Sequence, residues 1–156
     1  MNNYSGHEFV GSRYESGLTT TEIAKRVRKY LKQKCPDCKF SVRSKYFAGG
    51  SELSIALMEA PFEAFPEDPV GYAQLNHFTL LHDYPDYDNP NAPLCNGRKL
   101  TCEAWELLRD VTEFALSFNR DDSEPMVDYF DTNFYFDLSI GRWDKPFKAT
   151  KAEVKA

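Results

Sequence analysis

Two alternating runs flank a glycine reversal between Lys39 and Glu59, and no other stretch restricts the fold as strongly. In the first run Phe40, Val42, Ser44 and Tyr46 point one way, and Ser41, Arg43 and Lys45 the other. Ala48-Gly49-Gly50-Ser51 supplies the positive-φ positions that a reversal needs. The return run sets Leu53, Ile55 and Leu57 against Ser54, Ala56 and Met58, and Pro61 closes it. Such alternation predicts an antiparallel strand pair with one covered face.

Two amphipathic segments are available to cover that face. In TTTEIAKRVRKYLKQK, Thr19 followed by Glu22 fits a capping box, in which hydroxyl and carboxylate each accept from an unpaired backbone N–H. Ile23, Val27, Tyr30 and Leu31 then share one face at helical spacing, and Cys35-Pro36-Asp37 ends the helix. Thr101 caps a second helix, CEAWELLRDVTEFALSFNR, with Trp105, Leu108, Val111 and Ala115 on one face. Leu107, Phe114 and Phe118 border that stripe. A third strand follows, alternating Phe134, Phe136, Leu138 and Ile140 with Tyr135, Asp137 and Ser139, and Gly141 ends it.

The order α-β-β-α-β predicts a two-layer α+β domain: a small antiparallel sheet of about three strands with both helices on one face. Residues 1–17 read as a loose arm that docks through Tyr4, Phe9 or Tyr14, and 18–147 as the domain. Within it, 62–99 is an irregular insertion, with room for one short helix near Pro69 and an Asp/Asn/Pro-rich tract after it. The tail, 148–156, is polar and expected to be disordered.

At 156 residues the chain suits a single domain, and its 15% aromatic share lets few side chains build a core. No apolar run approaches the roughly 18 residues of a membrane span, and MNNYSGHEFVGSRY lacks a signal-peptide core. The expectation is a soluble cytoplasmic protein whose cysteines are reduced. Net charge is −5, but it is unevenly spread. Residues 1–50 carry ten Lys/Arg against four Asp/Glu, a balance of +6, and the remainder carries −11. Such asymmetry implies two electrostatic faces or a polar partner.

No catalytic set emerges, and no cofactor is expected. Cys35 and Cys38 have zinc-knuckle spacing, but Cys95 and Cys102 stand too far apart for an ordinary ribbon, so zinc is a weak candidate. No βαβ context precedes Cys35 and Cys38, which argues against a redox pair. His77 and His82 with Asp83, Asp86 and Asp88 fall in a proline-broken tract, where a solvated loop is the simpler reading. Asp128, Asp131 and Asp137 lack the glycine and glutamate of a calcium loop. The sharpest candidate is basic. Lys25, Arg28, Lys29 and Lys32 form a helical stripe, and Arg43 and Lys45 share the uncovered face of the first strand. If contiguous, these six suit phosphates, with Tyr46 or Phe47 stacking on a base. The plain alternative is a solvated helix face on a chain that is acidic overall.

Three segments taken together are familiar: LTTTEIAKRVRKYLKQKCPDCKFSVRSKYFAGGSELSIAL, the second helix, and DYFDTNFYFDLSIGRWDKPF. They resemble the large polyvalent-protein-associated domain family, type twenty-nine. The resemblance implies a bacterial mobile-element or phage setting, where such domains accompany DNA transfer, and a counter-defence role is supposed for the class. It carries over no catalytic residue. The expected function is therefore a non-enzymatic interaction domain that binds a protein partner. The alternative is a nucleic-acid-binding module built on the first helix and hairpin.

Overall fold

The computed structural model describes residues 9–65, 71–81, 100–121 and 132–150. Along the chain these form β1 (Phe9–Val10), α1 (Thr20–Lys34), β2 (Lys39–Phe47), β3 (Gly50–Ala60), β4 (Ala73–Leu75), α2 (His77–Leu81), α3 (Cys102–Leu116), β5 (Arg120–Asp121), β6 (Tyr135–Ile140) and β7 (Lys148–Ala149).

Both long helices start where the threonines predict. Thr19 Oγ1 accepts from the Glu22 amide at 3.1 Å, and Thr101 Oγ1 accepts from the Ala104 amide at 3.2 Å. Each bond satisfies one of the amides that open a helix without an internal partner. The second helix stops at Leu116, earlier than the apolar stripe suggests: the Phe118 and Asn119 amides already donate to carbonyls three residues back, at Ala115 and Leu116, and Ser117 turns its hydroxyl onto the Phe114 carbonyl. Its buried line is Ala104, Leu108, Val111 and Ala115, and Trp105 stands at the border of that line.

The predicted α+β class holds, but the sheet is larger and mixed. Among the described residues it has five strands, four in the order β2-β3-β6-β4 and β7, which pairs with the far end of β3. The β2–β3 hairpin is antiparallel, with Val42 opposite Ile55 and Phe47 opposite Gly50. Gly49 takes the one positive φ of the turn, 93°, while Gly50 already belongs to β3. The third predicted strand is β6, and it runs parallel to β3, setting Ile55 beside Leu138. A parallel neighbour needs a long crossover, and here the crossover contains α3. On its other side β6 pairs antiparallel with β4, Leu75 opposite Leu138. β4 and α2 fall within the stretch read as an irregular insertion, and β7 within the stretch read as a tail.

The helices lie on one face of the sheet, as predicted. Ile23, Ala24, Val27 and Leu31 of α1 join Leu108, Val111 and Ala115 of α3 over Leu53, Ile55, Leu57, Leu138 and Ile140. Each large aliphatic side chain buried this way contributes about 1.5–3 kcal/mol. Phe134, just ahead of β6, is fully buried in the same core. β1 and β5 form a separate two-stranded ribbon, and the Gly11 amide extends it by donating to the Asn119 carbonyl at 2.8 Å. The arm is thus tied to the end of α3 through Gly11, whose missing Cβ leaves room for the Ser117 carbonyl. Tyr4 lies outside the described residues; Tyr14 lies under the Arg120 guanidinium.

Candidate functional site: the helix-free face of the sheet

Period-2 geometry sends Ser41, Arg43, Lys45 and Phe47 of β2 away from the helices. The register then builds rows across the sheet on that face. Ser41 stands beside Ala56, then Ser139, then Gln74. Arg43 stands beside Ser54, then Asp137; Lys45 stands beside Glu52, then Tyr135. Neighbours in such rows are about 5 Å apart, close enough for side chains to act together. The middle column, Ser54 and Ala56, is small, so the floor is shallow and the longer side chains form walls.

A groove of about 130 Å³ results. Arg43 and Tyr72 stand over it, and the turn Arg142–Lys145, closed by two backbone hydrogen bonds, closes one end. Gly141, at φ 71°, makes that turn possible. The turn carries Arg142, Trp143 and Asp144 to the groove, and Trp143 is 84% exposed. Arg142 Nε is buried and lies 3.5 Å from Asp144 Oδ1 without an aligned hydrogen bond. Asp137 accepts from the Gln74 side-chain amide, which also donates to the Leu138 carbonyl. The face therefore mixes Arg43, Lys45 and Arg142 with Glu52, Asp137 and Asp144. Phe47 and Tyr135, both exposed, meet above Gly50 at its end, with ring centroids 6.0 Å apart.

The six basic candidates do not lie on one surface. Lys25, Lys29 and Lys32 are exposed on the outer side of α1, over one face of the sheet, and Arg43 and Lys45 lie on the other. They meet only around the outer edge of β2. Arg28 sits at that edge, where its guanidinium donates to the Val42 carbonyl at 2.7 Å. Tyr46 is drawn to the α1 side, because its hydroxyl accepts from the Thr21 amide at 2.9 Å. It does not stand beside Arg43.

Among the described residues, Cys35, Cys38 and Cys102 belong to no group placed to hold a metal. Cys35 and Cys38 are free and half-buried. Burial, with nearby negative charge, raises both thiols, Cys38 to about 11. Cys102 is exposed and disulfide-bonded, contrary to the expectation of a reduced thiol. Cys95 lies outside the described residues. Among the described residues no group of three His, Cys, Asp or Glu is placed to hold a metal. His77 packs edge-on against Phe136 at 5.4 Å, and burial lowers its pKa. His82, Asp83, Asp86, Asp88, Asp128 and Asp131 lie outside the described residues. No helix among the described residues is long and apolar enough to cross a membrane.

Tyr72, Arg142 and Trp143 were not singled out by the sequence reading. The available signal was Gly141-Arg-Trp-Asp-Lys-Pro146, a tight turn that strands a tryptophan between charges.

No curated protein and no solved structure matches the chain. A family model matches residues 18–131, a span that takes in both long helices and the β2–β3 hairpin and ends ahead of β6. The chain belongs to the family described as large polyvalent protein associated domain 29.

Proposed function

We propose that this chain is a non-enzymatic interaction domain that docks a protein partner against the helix-free face of its sheet. The observation that carries this reading is the groove with Trp143 at its rim. Tryptophan, tyrosine and arginine dominate the energetics of protein interfaces, and here Trp143, Tyr72 and Arg142 surround one shallow, small-floored depression. Alternating charge on the surrounding rows suits a surface that selects a partner by complementarity. The polyvalent-protein family supports a mobile-element or phage setting, and a host-defence protein is the partner class that this setting favours.

The test is affinity capture from a host lysate with the full chain beside Trp143→Ala and Arg142→Ala. A protein retained by the unaltered chain and released by both variants supports the reading. Retention by all three places the interface elsewhere. Turnover of nucleotide or nucleic acid that one substitution abolishes would overturn the non-enzymatic assignment.

A nucleic-acid module remains the second reading, favoured by Phe47 and Tyr135 exposed on the same face as Arg43 and Lys45. Glu52 and Asp137 in the adjoining positions oppose it, since a phosphate path needs one sign of charge. A salt-sensitive shift of single-stranded DNA or RNA, lost in Arg43→Glu with Lys45→Glu, would establish it. No shift by the unaltered chain at low salt ends it.

A further inference from the structure

β2 is an edge strand of nine residues, and nothing among the described residues pairs with its outer side. Because Phe47 and Gly50 close the hairpin, Ser41, Arg43 and Lys45 turn their peptide groups toward β3. Val42 and Ser44 then turn theirs outward. The Arg28 bond to the Val42 carbonyl agrees with this phase, since that oxygen faces away from β3.

A cavity of about 290 Å³ lies beside this edge, under the C-terminal half of α1. Leu31, Cys38, Phe40 and Val42 give it apolar walls, and Arg28 and Lys32 stand at its rim. Lys25 is exposed one turn before Arg28 on the same flank of the helix, and Lys39, Arg43 and Lys45 project from the strand itself. The edge therefore runs between two basic borders and above an apolar hollow.

We propose that an extended acidic segment of a partner polypeptide adds to the outer edge of β2 as a further strand. Backbone groups of the segment bond to Val42 and Ser44. Alternate side chains fall to the two sides of an added strand, so one set fills the cavity below α1 and the other meets Arg43 and Lys45. The incoming backbone N–H replaces the Arg28 guanidinium at the Val42 carbonyl and frees that cation for a carboxylate. Basic side chains on an edge also deter unwanted pairing. Deterrence alone, however, needs no apolar hollow between the edge and a helix. The charge of the surroundings selects an acidic occupant over a neutral or basic one. This surface shares Arg43 with the rim of the groove that carries Trp143, but its edge and cavity lie on the far side of β2, and the inference does not depend on Trp143.

The test uses the full chain and a fluorescein-labelled peptide, Glu-Val-Glu-Leu-Glu-Val-Glu, with Lys-Val-Lys-Leu-Lys-Val-Lys as counterpart. Fluorescence polarisation is expected to give at least about tenfold tighter binding of the acidic peptide, weakening as salt rises. Lys25→Glu with Lys32→Glu, two exposed helix positions, should cost at least about tenfold with the melting temperature retained. Hydrogen exchange should show the Val42 and Ser44 amides protected by the acidic peptide. Equal binding of both peptides, an unchanged affinity in the charge-reversed chain, or no protection at those amides overturns the proposal. Trp143→Ala separates the two surfaces. Unchanged peptide binding in that variant supports the edge, and loss of binding assigns the peptide to the groove and overturns the edge.

Discussion

Tyr30 of α1 donates its hydroxyl to the Asp110 carboxylate of α3 at 2.8 Å, and its ring lies flat on Phe114 at 3.8 Å. One side chain thus bridges the two long helices above the sheet. Burial, reinforced by the Asp110 hydrogen bond and charge, raises the Tyr30 pKa from 10.0 to about 12. Its stabilising effect is complete below the unfolded value of 10.0, and is lost as pH rises through about 12, where the folded chain also releases the proton. Absorbance titration should therefore show a tyrosine ionising late, near pH 12. Tyr30→Phe keeps the stack and removes the bond, so it should cost about 1 kcal/mol in denaturant unfolding and erase the late step.

Asn119 is 6% exposed and joins the end of α3 to the entry of β6. Its Oδ1 accepts from the Arg120 and Phe134 amides at 2.9 and 3.1 Å, and its Nδ2 donates to the Phe134 carbonyl at 3.1 Å. Asn119→Ala leaves the buried Phe134 amide and carbonyl without these partners and should cost about 3 kcal/mol. Asn119→Asp should cost at least as much, because the carboxylate faces a carbonyl it cannot bond. Urea unfolding of the two variants checks both. A loss within 0.5 kcal/mol would mean that Asn119 does not hold this junction.

Asn119 also illustrates which parts of the fold were legible. Helix starts were, since Thr19 and Thr101 act through bonds three residues away. The facing of β2, β3 and β6 was, because period 2 is a local property. Beyond the β2–β3 hairpin, strand neighbours and directions were not: alternation says which face a residue occupies, never which strand lies beside it. Ala56 and Met58, at 5% and 8% exposure on the helix-free face, were the sign that β3 is central. β4 and β7, at three and two residues, are too short to show a period. Arg43 and Lys45 of the candidate site were found by alternation. Arg142 and Trp143 were missed because a turn after Gly141, not a period, brings them there.

Cys35 and Cys38 should be slow to react in the folded chain. With Cys38 raised from 9.0 to about 11, its thiolate fraction near neutral pH falls by roughly a hundredfold. Aromatic disulfide reagent at pH 7.5 should modify both thiols far faster in guanidinium than in buffer. The native rate should climb steeply toward pH 11. Adding a zinc chelator should leave the melting temperature unchanged. A drop on chelation would mean that these thiols are metal-bound after all.

Gly141 and Gly49 both have positive φ, yet they should respond differently to alanine. A Cβ at Gly141 would lie 2.0 Å from the Gly71 carbonyl oxygen and 2.8 Å from the Phe147 amide nitrogen, while one at Gly49 meets nothing within 4 Å. Gly49→Ala therefore incurs the left-handed backbone penalty alone, about 1–2 kcal/mol. Gly141→Ala adds a backbone collision and should exceed that, about 3 kcal/mol or more. Equal melting temperatures for the two variants would show that the Gly71–Gly141 approach can relax.

Trp143 offers the cleanest separation of interaction from folding. At 84% exposure it buries little surface, and its turn is closed by backbone bonds between Arg142 and Lys145 that its side chain does not make. Trp143→Ala should therefore change stability by less than about 0.5 kcal/mol. Removing a tryptophan from a desolvated interface centre instead costs about 2 kcal/mol or more, roughly thirtyfold in Kd. The two effects differ enough to be read on one preparation, by thermal unfolding and by titration against the captured partner. If Trp143→Ala left affinity intact, the groove would be a surface feature without a partner, whatever Arg142 and Tyr72 contribute to its shape.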